Sequence, residues 1–327
     1  RSSAASDVYK RQVPGCPIAV SEDLVNWEMA GYALERYDED PKYDMQGGNL
    51  YLNGAWASTI RHHNGKFYVG FCTPYGWGRE TGHFSICIAD DVKGPWERTI
   101  FPEYLYDPGL FFDEDGKVYV VHGQGTLYLT ELNSDVKSVK GKPVKIWQGG
   151  FKNAHELGGG FGMEGSHMYR INGKYYITCP AGGTGGWQIC LRSDNIYGPY
   201  EHKLIMNDWS SYPKNGLHQG GMVQLKNGDW WFMIMQDRGP IGRVPCLVPV
   251  KWIDGWPMLG DKDGHIPNDT TLSYMSMDGI CGSDDFSASG LSHDCHKLSF
   301  ADRQVNSGKR HHLIASGTVH FFHLFTC

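Results

Sequence analysis

Apolar and polar residues alternate over short runs along most of this chain, and turn residues rather than helical periodicity separate the runs. The clearest runs share one phrase in four variants: Asn64-Gly65-Lys66-Phe67-Tyr68, Asp115-Gly116-Lys117-Val118-Tyr119, Asn172-Gly173-Lys174-Tyr175-Tyr176 and Asn227-Gly228-Asp229-Trp230-Trp231. Asn-Gly or Asp-Gly between alternating apolar residues predicts a tight hairpin, because a type I′ turn needs positive φ at both central residues. The four glycines stand 51 (65 to 116), 57 (116 to 173) and 55 (173 to 228) residues apart. A hairpin repeated at that spacing, with no helix between copies, predicts an all-β fold: a β-propeller with one sheet per repeat.

A second phrase recurs beyond the hairpins: a polar turn, a Gly-Pro or Asn pair, then an aromatic. It reads Ser21-Glu22-Asp23-Leu24-Val25-Asn26-Trp27, Asp90-Asp91-Val92-Lys93-Gly94-Pro95-Trp96 and Ser193-Asp194-Asn195-Ile196-Tyr197-Gly198-Pro199-Tyr200. Each copy is expected to lead from the third strand of a blade into the outermost one, with its aromatic at the rim. The copy at Ser21 has no hairpin before it. The expectation is therefore one incomplete blade followed by four complete ones, a five-bladed β-propeller. Asp38 to Asn53 and Gly149 to Phe161 are long and polar, as loops over one face would be.

Counting back nine residues from the hairpin glycines lands on Trp56, Asp107, Glu164 and Gln219. Equivalent positions of successive blades converge on the propeller axis, so this register gathers an aromatic ring and two carboxylates around one hole. That constellation suits acid–base chemistry on a sugar. Asp107 taken alone reads as a turn residue before Pro108; its shared register with Glu164 favours chemistry. Glu is depleted in strands, which sets Glu164 apart. Trp56 offers a flat apolar face to sugar C–H groups. His218 lies ten residues before its glycine, so a bulge is required to turn it with the others. Asp113 and Asp115 read as turn formers.

Charge is nearly balanced, 30 Lys+Arg against 36 Asp+Glu in 327 residues, with no basic stripe. Nucleic acid and anionic membrane are poor partners for such a surface, and no run is long and apolar enough to cross a membrane. Aromatics make up 13% of the chain, and the 43 glycines fit a fold of many turns. Nine scattered cysteines show no zinc-site spacing, and those inside strand-like runs, such as Cys72 and Cys179, read as small buried hydrophobes.

Both ends differ from the middle. Residues 1–12 resemble a translated sequencing adapter rather than native sequence, and are set aside from fold reasoning. Localisation is left open between secreted or periplasmic and cytoplasmic. The propeller is assigned to residues 13–265. Residues 266–327 are expected to be a linker and a truncated or garbled remnant of a further domain; the histidines at 311, 312, 320 and 323 carry no functional reading.

These residues resemble glycoside hydrolase family 43, five-bladed propellers that include β-xylosidases and α-L-arabinofuranosidases. The resemblance rests on Pro14-Gly15-Cys16-Pro17-Ile18, Trp27, Trp56-Ala57, Tyr106-Asp107-Pro108, Met163-Glu164-Gly165 and His218-Gln219-Gly220-Gly221. It continues at Gly239-Pro240-Ile241-Gly242-Arg243 and Asp254-Gly255-Trp256-Pro257. It implies an inverting mechanism with three carboxyl groups on three blades. Glu164 matches the general acid, and Asp107 matches the residue that tunes and orients it. The general base would stand on a strand ahead of this chain, so the chain by itself is expected to be inactive. Trp56, Gln219 and Arg243 are expected to hold substrate, the last through a planar guanidinium that suits sugar hydroxyls. His218 matches a position that helps hold a hydrated cation, implying a structural Ca2+ on the axis; no cofactor is needed for the chemistry. Ser283-Asp284-Asp285-Phe286 resembles the first strand of a C-terminal β-sandwich.

The implied substrate is a terminal xylosyl or arabinosyl group on an oligosaccharide or polysaccharide from plants. Inversion needs an acid for the leaving oxygen and a base for water across the ring, roughly 6.5–9.5 Å apart. A neighbouring carboxylate at Asp107 and partial burial would help Glu164 hold its proton near neutral pH. Two rival readings are a non-catalytic carbohydrate-binding propeller and a retaining enzyme of the fructan-hydrolase type.

Overall fold

The computed structural model describes residues 15–50, 53–75, 81–148, 163–180, 186–207, 216–237, 243–264, 266, 273–274 and 313–316. The first strands are β1 (Cys16–Ser21), β2 (Trp27–Leu34), β3 (Ser58–His63), β4 (Lys66–Pro74), β5 (Gly82–Ala89) and β6 (Glu97–Phe101). Then come β7 (Gly109–Phe112), β8 (Val118–His122), β9 (Thr126–Leu132), β10 (Val144–Gln148), β11 (His167–Ile171), β12 (Lys174–Pro180), β13 (Trp187–Ser193) and β14 (Glu201–Asn207). The last are β15 (His218–Gln224), β16 (Trp230–Asp237), β17 (Arg243–Pro249), β18 (Lys251–Ile253), β19 (Trp256–Met258), β20 (Ser273–Tyr274) and β21 (Leu313–Ser316). A single 3-10 turn at Pro41–Asp44 is the one helical element among the described residues.

The fold is all-β and propeller-like. Four antiparallel blades run β3-β4-β5-β6, β7-β8-β9-β10, β11-β12-β13-β14 and β15-β16-β17-β20. A three-stranded sheet, β2-β1-β21, holds the residues expected of the incomplete first blade. Its strand β21 pairs Ile18 with Ser316 and Ser21 with Leu313. Both β20 and β21 come from sequence placed beyond the propeller, and both occupy sheet edges whose unpaired donors and acceptors take a further strand. Residues 1–12, Ser283-Asp284-Asp285-Phe286 and the histidines at 311, 312, 320 and 323 lie outside the described residues.

Strands in the blades carry nearly continuous apolar runs because both faces are buried. On β8, Val118 and Val120 pack with Phe84, Ile86 and Leu110 toward the preceding blade. Their alternates Tyr119 and Val121 pack with Ile177, Ile189 and Leu191 of the following one. The three-stranded sheet does the same, sending Cys16 and Ile18 against Val69 and Phe71. From the same strand Ala19, with Trp27, meets Val223, Met233 and Leu247. Period-two alternation therefore sorts each strand between two inter-sheet cores.

The hairpins follow the sequence with one correction. Asn64 (φ 49°) and Gly65 (76°), and Asn172 (50°) and Gly173 (79°), take the expected paired positive φ. At the other two sites only Gly116 (83°) and Gly228 (92°) do so. There the loop is longer: the Gly116 amide bonds to the Asp113 carbonyl at 3.1 Å and the Gly228 amide to the Leu225 carbonyl at 2.9 Å. A type I turn closed by a left-handed glycine fits both. Asp113 also does more than turn the chain. It is buried, and its carboxylate accepts from Arg170 at 3.1 Å and from the Tyr175 hydroxyl at 2.8 Å, tying one blade to the next.

Candidate active site

Trp56, Asp107 and Glu164 stand two or three residues before β3, β7 and β11, and Gln219 is the second residue of β15. The backbone kinks there: φ is 48° at Asp107, 56° at Gly165 and 55° at Gln219. For Gln219 the left-handed conformation costs about 1–2 kcal/mol, and such strain concentrates where function fixes a side chain. The pairing of β15 with β16 shifts between His218 and Gly220, so Gln219 is the extra residue of a bulge. This is the bulge that the ten-residue spacing of His218 requires. Nδ1 of the His218 ring donates to the Gly216 carbonyl at 3.1 Å.

Two glycines bring the blades together at this end. A Cβ on Gly109 would lie 2.0 Å from the Ser166 carbonyl oxygen, and one on Gly165 would lie 2.3 Å from Nε2 of Gln219. The strand after Asp107 thus touches backbone just beyond Glu164, and the Gln219 amide lies against the residue next to Glu164.

Glu164 is half-buried, and its Oε2 accepts two hydrogen bonds, from the Tyr106 hydroxyl at 2.9 Å and from Nε2 of Gln124 at 2.8 Å. The loop carrying Gln124 is fastened on both sides: the Gly123 amide donates to the Tyr106 carbonyl and the Gly125 amide to the Met163 carbonyl, each at 2.9 Å. The Tyr106 ring meets Trp56 edge-on, with centroids 6.3 Å apart, and the Trp56 amide donates to the Cys72 carbonyl at 2.8 Å. Asp107 is buried beside Cys72, whose thiol is pushed well up by burial and then by the Asp107 charge. One contiguous set of contacts therefore links Trp56, Tyr106, Asp107, Gln124, Glu164 and Gln219. Arg243 opens β17 opposite Asp237; its side chain lies outside the described residues.

Gln124 is absent from the sequence reading, and Tyr106 enters it only within the motif Tyr106-Asp107-Pro108, with no role of its own. Tyr106 was within reach of it, being the neighbour of Asp107. For Gln124 the signal is the Gly123-Gln124-Gly125 run, whose glycines take φ of 115° and 68°.

A buried histidine underlies this loop. His122 bonds through Nε2 to the Thr130 hydroxyl at 2.9 Å, and burial lowers its pKa from 6.5 to about 4. The unfolded chain takes up this proton near pH 6.5 while the folded chain does not until about pH 4. Stability is then full above pH 6.5 and falls as pH drops toward 4, by roughly 3 kcal/mol for this group. His167 is shifted in the same direction by burial. Urea unfolding at pH 7.5, 5.5 and 4.5 should show the loss, and His122→Gln should flatten its slope; an unchanged slope would remove His122 from the account.

Comparison with known proteins matches residues 4–257 to the family model for glycosyl hydrolases family 43. A putative beta-xylosidase of Xylanibacter ruminicola is 35% identical over 261 residues, covering 76% of this chain and 46% of that protein. A non-reducing end alpha-L-arabinofuranosidase of Bacteroides ovatus, BoGH43B, is 34% identical over 270 residues, covering 77% and 48%. Among solved structures, a bifunctional GH43-CE protein of Bacteroides eggerthii aligns with TM-score 0.67 at 36% identity, covering 78% of this chain and 32% of that one. The chain spans about half the length of the curated relatives it matches. With the matched model running from β1 through β18, and so through three whole blades and three strands of the fourth, the chain belongs to glycosyl hydrolases family 43.

Proposed function

We propose that this propeller, with five blades of which the first is incomplete, is the catalytic part of an inverting, exo-acting glycosidase. It removes terminal xylosyl or arabinosyl groups from plant polysaccharide fragments. The observation that carries this reading is the double hydrogen bond to Oε2 of Glu164. A carboxyl oxygen has two in-plane lone pairs, and Tyr106 and Gln124 use both. A proton on Glu164 is therefore carried on Oε1, and this is the oxygen we assign to the leaving group. Asp107, buried one residue from Tyr106, orients this acid and tunes its acidity. Trp56 forms the wall on which a sugar ring stacks, and Gln219 and Arg243 meet its hydroxyls. The general base is assigned to none of the described residues, so turnover is measured on the longest natural form that contains residues 13–265. The names of the relatives, a putative beta-xylosidase and a non-reducing end alpha-L-arabinofuranosidase, support the two sugars proposed.

Product stereochemistry tests this directly. Proton NMR of a xylo-oligosaccharide or arabino-oligosaccharide digest, read before mutarotation, should show the anomer opposite to that of the substrate. A retained anomer would mean a covalent intermediate and carboxyls about 5–5.5 Å apart, and would overturn the assignment.

A further inference from the structure

The middle of the propeller holds a buried cation of the chain's own. Arg61 lies on β3, the first strand of its blade, and is buried. Strand β3 packs against β7, and β7 against β11. The Arg61 guanidinium nevertheless reaches the Tyr169 ring on β11, with its Cζ 5.9 Å from the centroid. It bypasses the intervening blade, which is feasible only through the central hole. Its Nη1 donates to the Ile60 carbonyl at 2.8 Å. Tyr169 is itself fixed from a third blade, its hydroxyl accepting from the Met222 amide on β15 at 2.8 Å. A guanidinium over an aromatic face is a favourable pairing once water is excluded.

We propose that the Arg61 guanidinium is the axial cation of this protein and takes the part that the family resemblance gave to a hydrated Ca2+. The surroundings fit a monovalent organic cation better than a metal. His167, two residues from Tyr169 on the same strand, is held neutral by burial and by the charge of Arg61, so the centre already disfavours added positive charge. Burial lowers the Arg61 pKa to about 10, which leaves it charged at neutral pH. His218 is then a structural residue of the bulge.

The test uses the chain as it is, stripped with EDTA, and needs no turnover. Titration with CaCl2 and MgCl2 should give no stoichiometric heat, and neither salt should raise Tm beyond an equal ionic strength of NaCl. Arg61→Met should lower Tm by several degrees. One equivalent of tightly bound Ca2+ that raises Tm would overturn the proposal, as would an Arg61→Met protein as stable as wild type. If that variant does not fold, the metal titration of the wild-type chain decides.

Discussion

Glu164→Gln should lower kcat on xylo- or arabino-oligosaccharides by about 10²- to 10⁴-fold, the usual contribution of a positioned general acid. The amide keeps the shape of the side chain, and its oxygen can still accept from Tyr106 and Gln124, which now stand 2.9 and 2.8 Å from Oε2. What it lacks is a proton acidic enough to transfer: the NH2 group at the other position does not give one up. The loss should be far smaller on an aryl glycoside with a good leaving group, which departs without protonation. KM should change little, because the sugar contacts proposed for Trp56 and Gln219 are untouched by the change. Equal losses on both substrate types would show that Glu164 is not the acid.

Gly109→Ala should damage stability and turnover together. The added Cβ would meet the Ser166 carbonyl oxygen at 2.0 Å and Cγ1 of Val121 at 2.9 Å. The first of these is backbone and cannot rotate away. Two blades must part by more than an ångström where Asp107 and Glu164 enter the site. Overpacking of this kind costs about 1–3 kcal/mol, and a displacement near 1 Å at a reacting centre is worth about 10²-fold in rate. Calorimetry and kcat on one sample would check both. Wild-type values for both would mean that the blades are not held at this contact.

Much of this arrangement was legible because a propeller repeats its geometry. The nine-residue offset picks out Trp56, Asp107, Glu164 and Gln219, since each inner strand is entered the same way. The bulge at Gln219 was visible too, as one residue too many before Gly228. Other features depend on non-local partners that spacing does not encode. Gln124 meets Glu164 only because its loop is bonded to both Tyr106 and Met163. Asp113 sits where a turn residue belongs, and its partnership with Arg170 arises from how adjacent blades stack. Arg61 occupies an ordinary place in a strand; only closure of the sheets around a hole turns its side chain inward. The pairing of β21 with β1 joins residues nearly 300 positions apart, and no local pattern announces it.

The buried thiols supply a means of timing how the sheets come apart. Cys16, Cys72, Cys87, Cys179, Cys190 and Cys246 are all reduced and buried, and burial keeps the thiols of Cys16, Cys87, Cys179 and Cys190 protonated. They sit on β1, β4, β5, β12, β13 and β17, while the blade β7-β8-β9-β10 has none. A thiol reagent therefore reads each opening separately, against one silent sheet. If the sheets open one at a time, labelling followed by peptide mass mapping will give distinct rates for Cys16, for the Cys72 and Cys87 pair, for the Cys179 and Cys190 pair, and for Cys246. If the ring opens as a unit, all six will react with one rate constant, that of global unfolding.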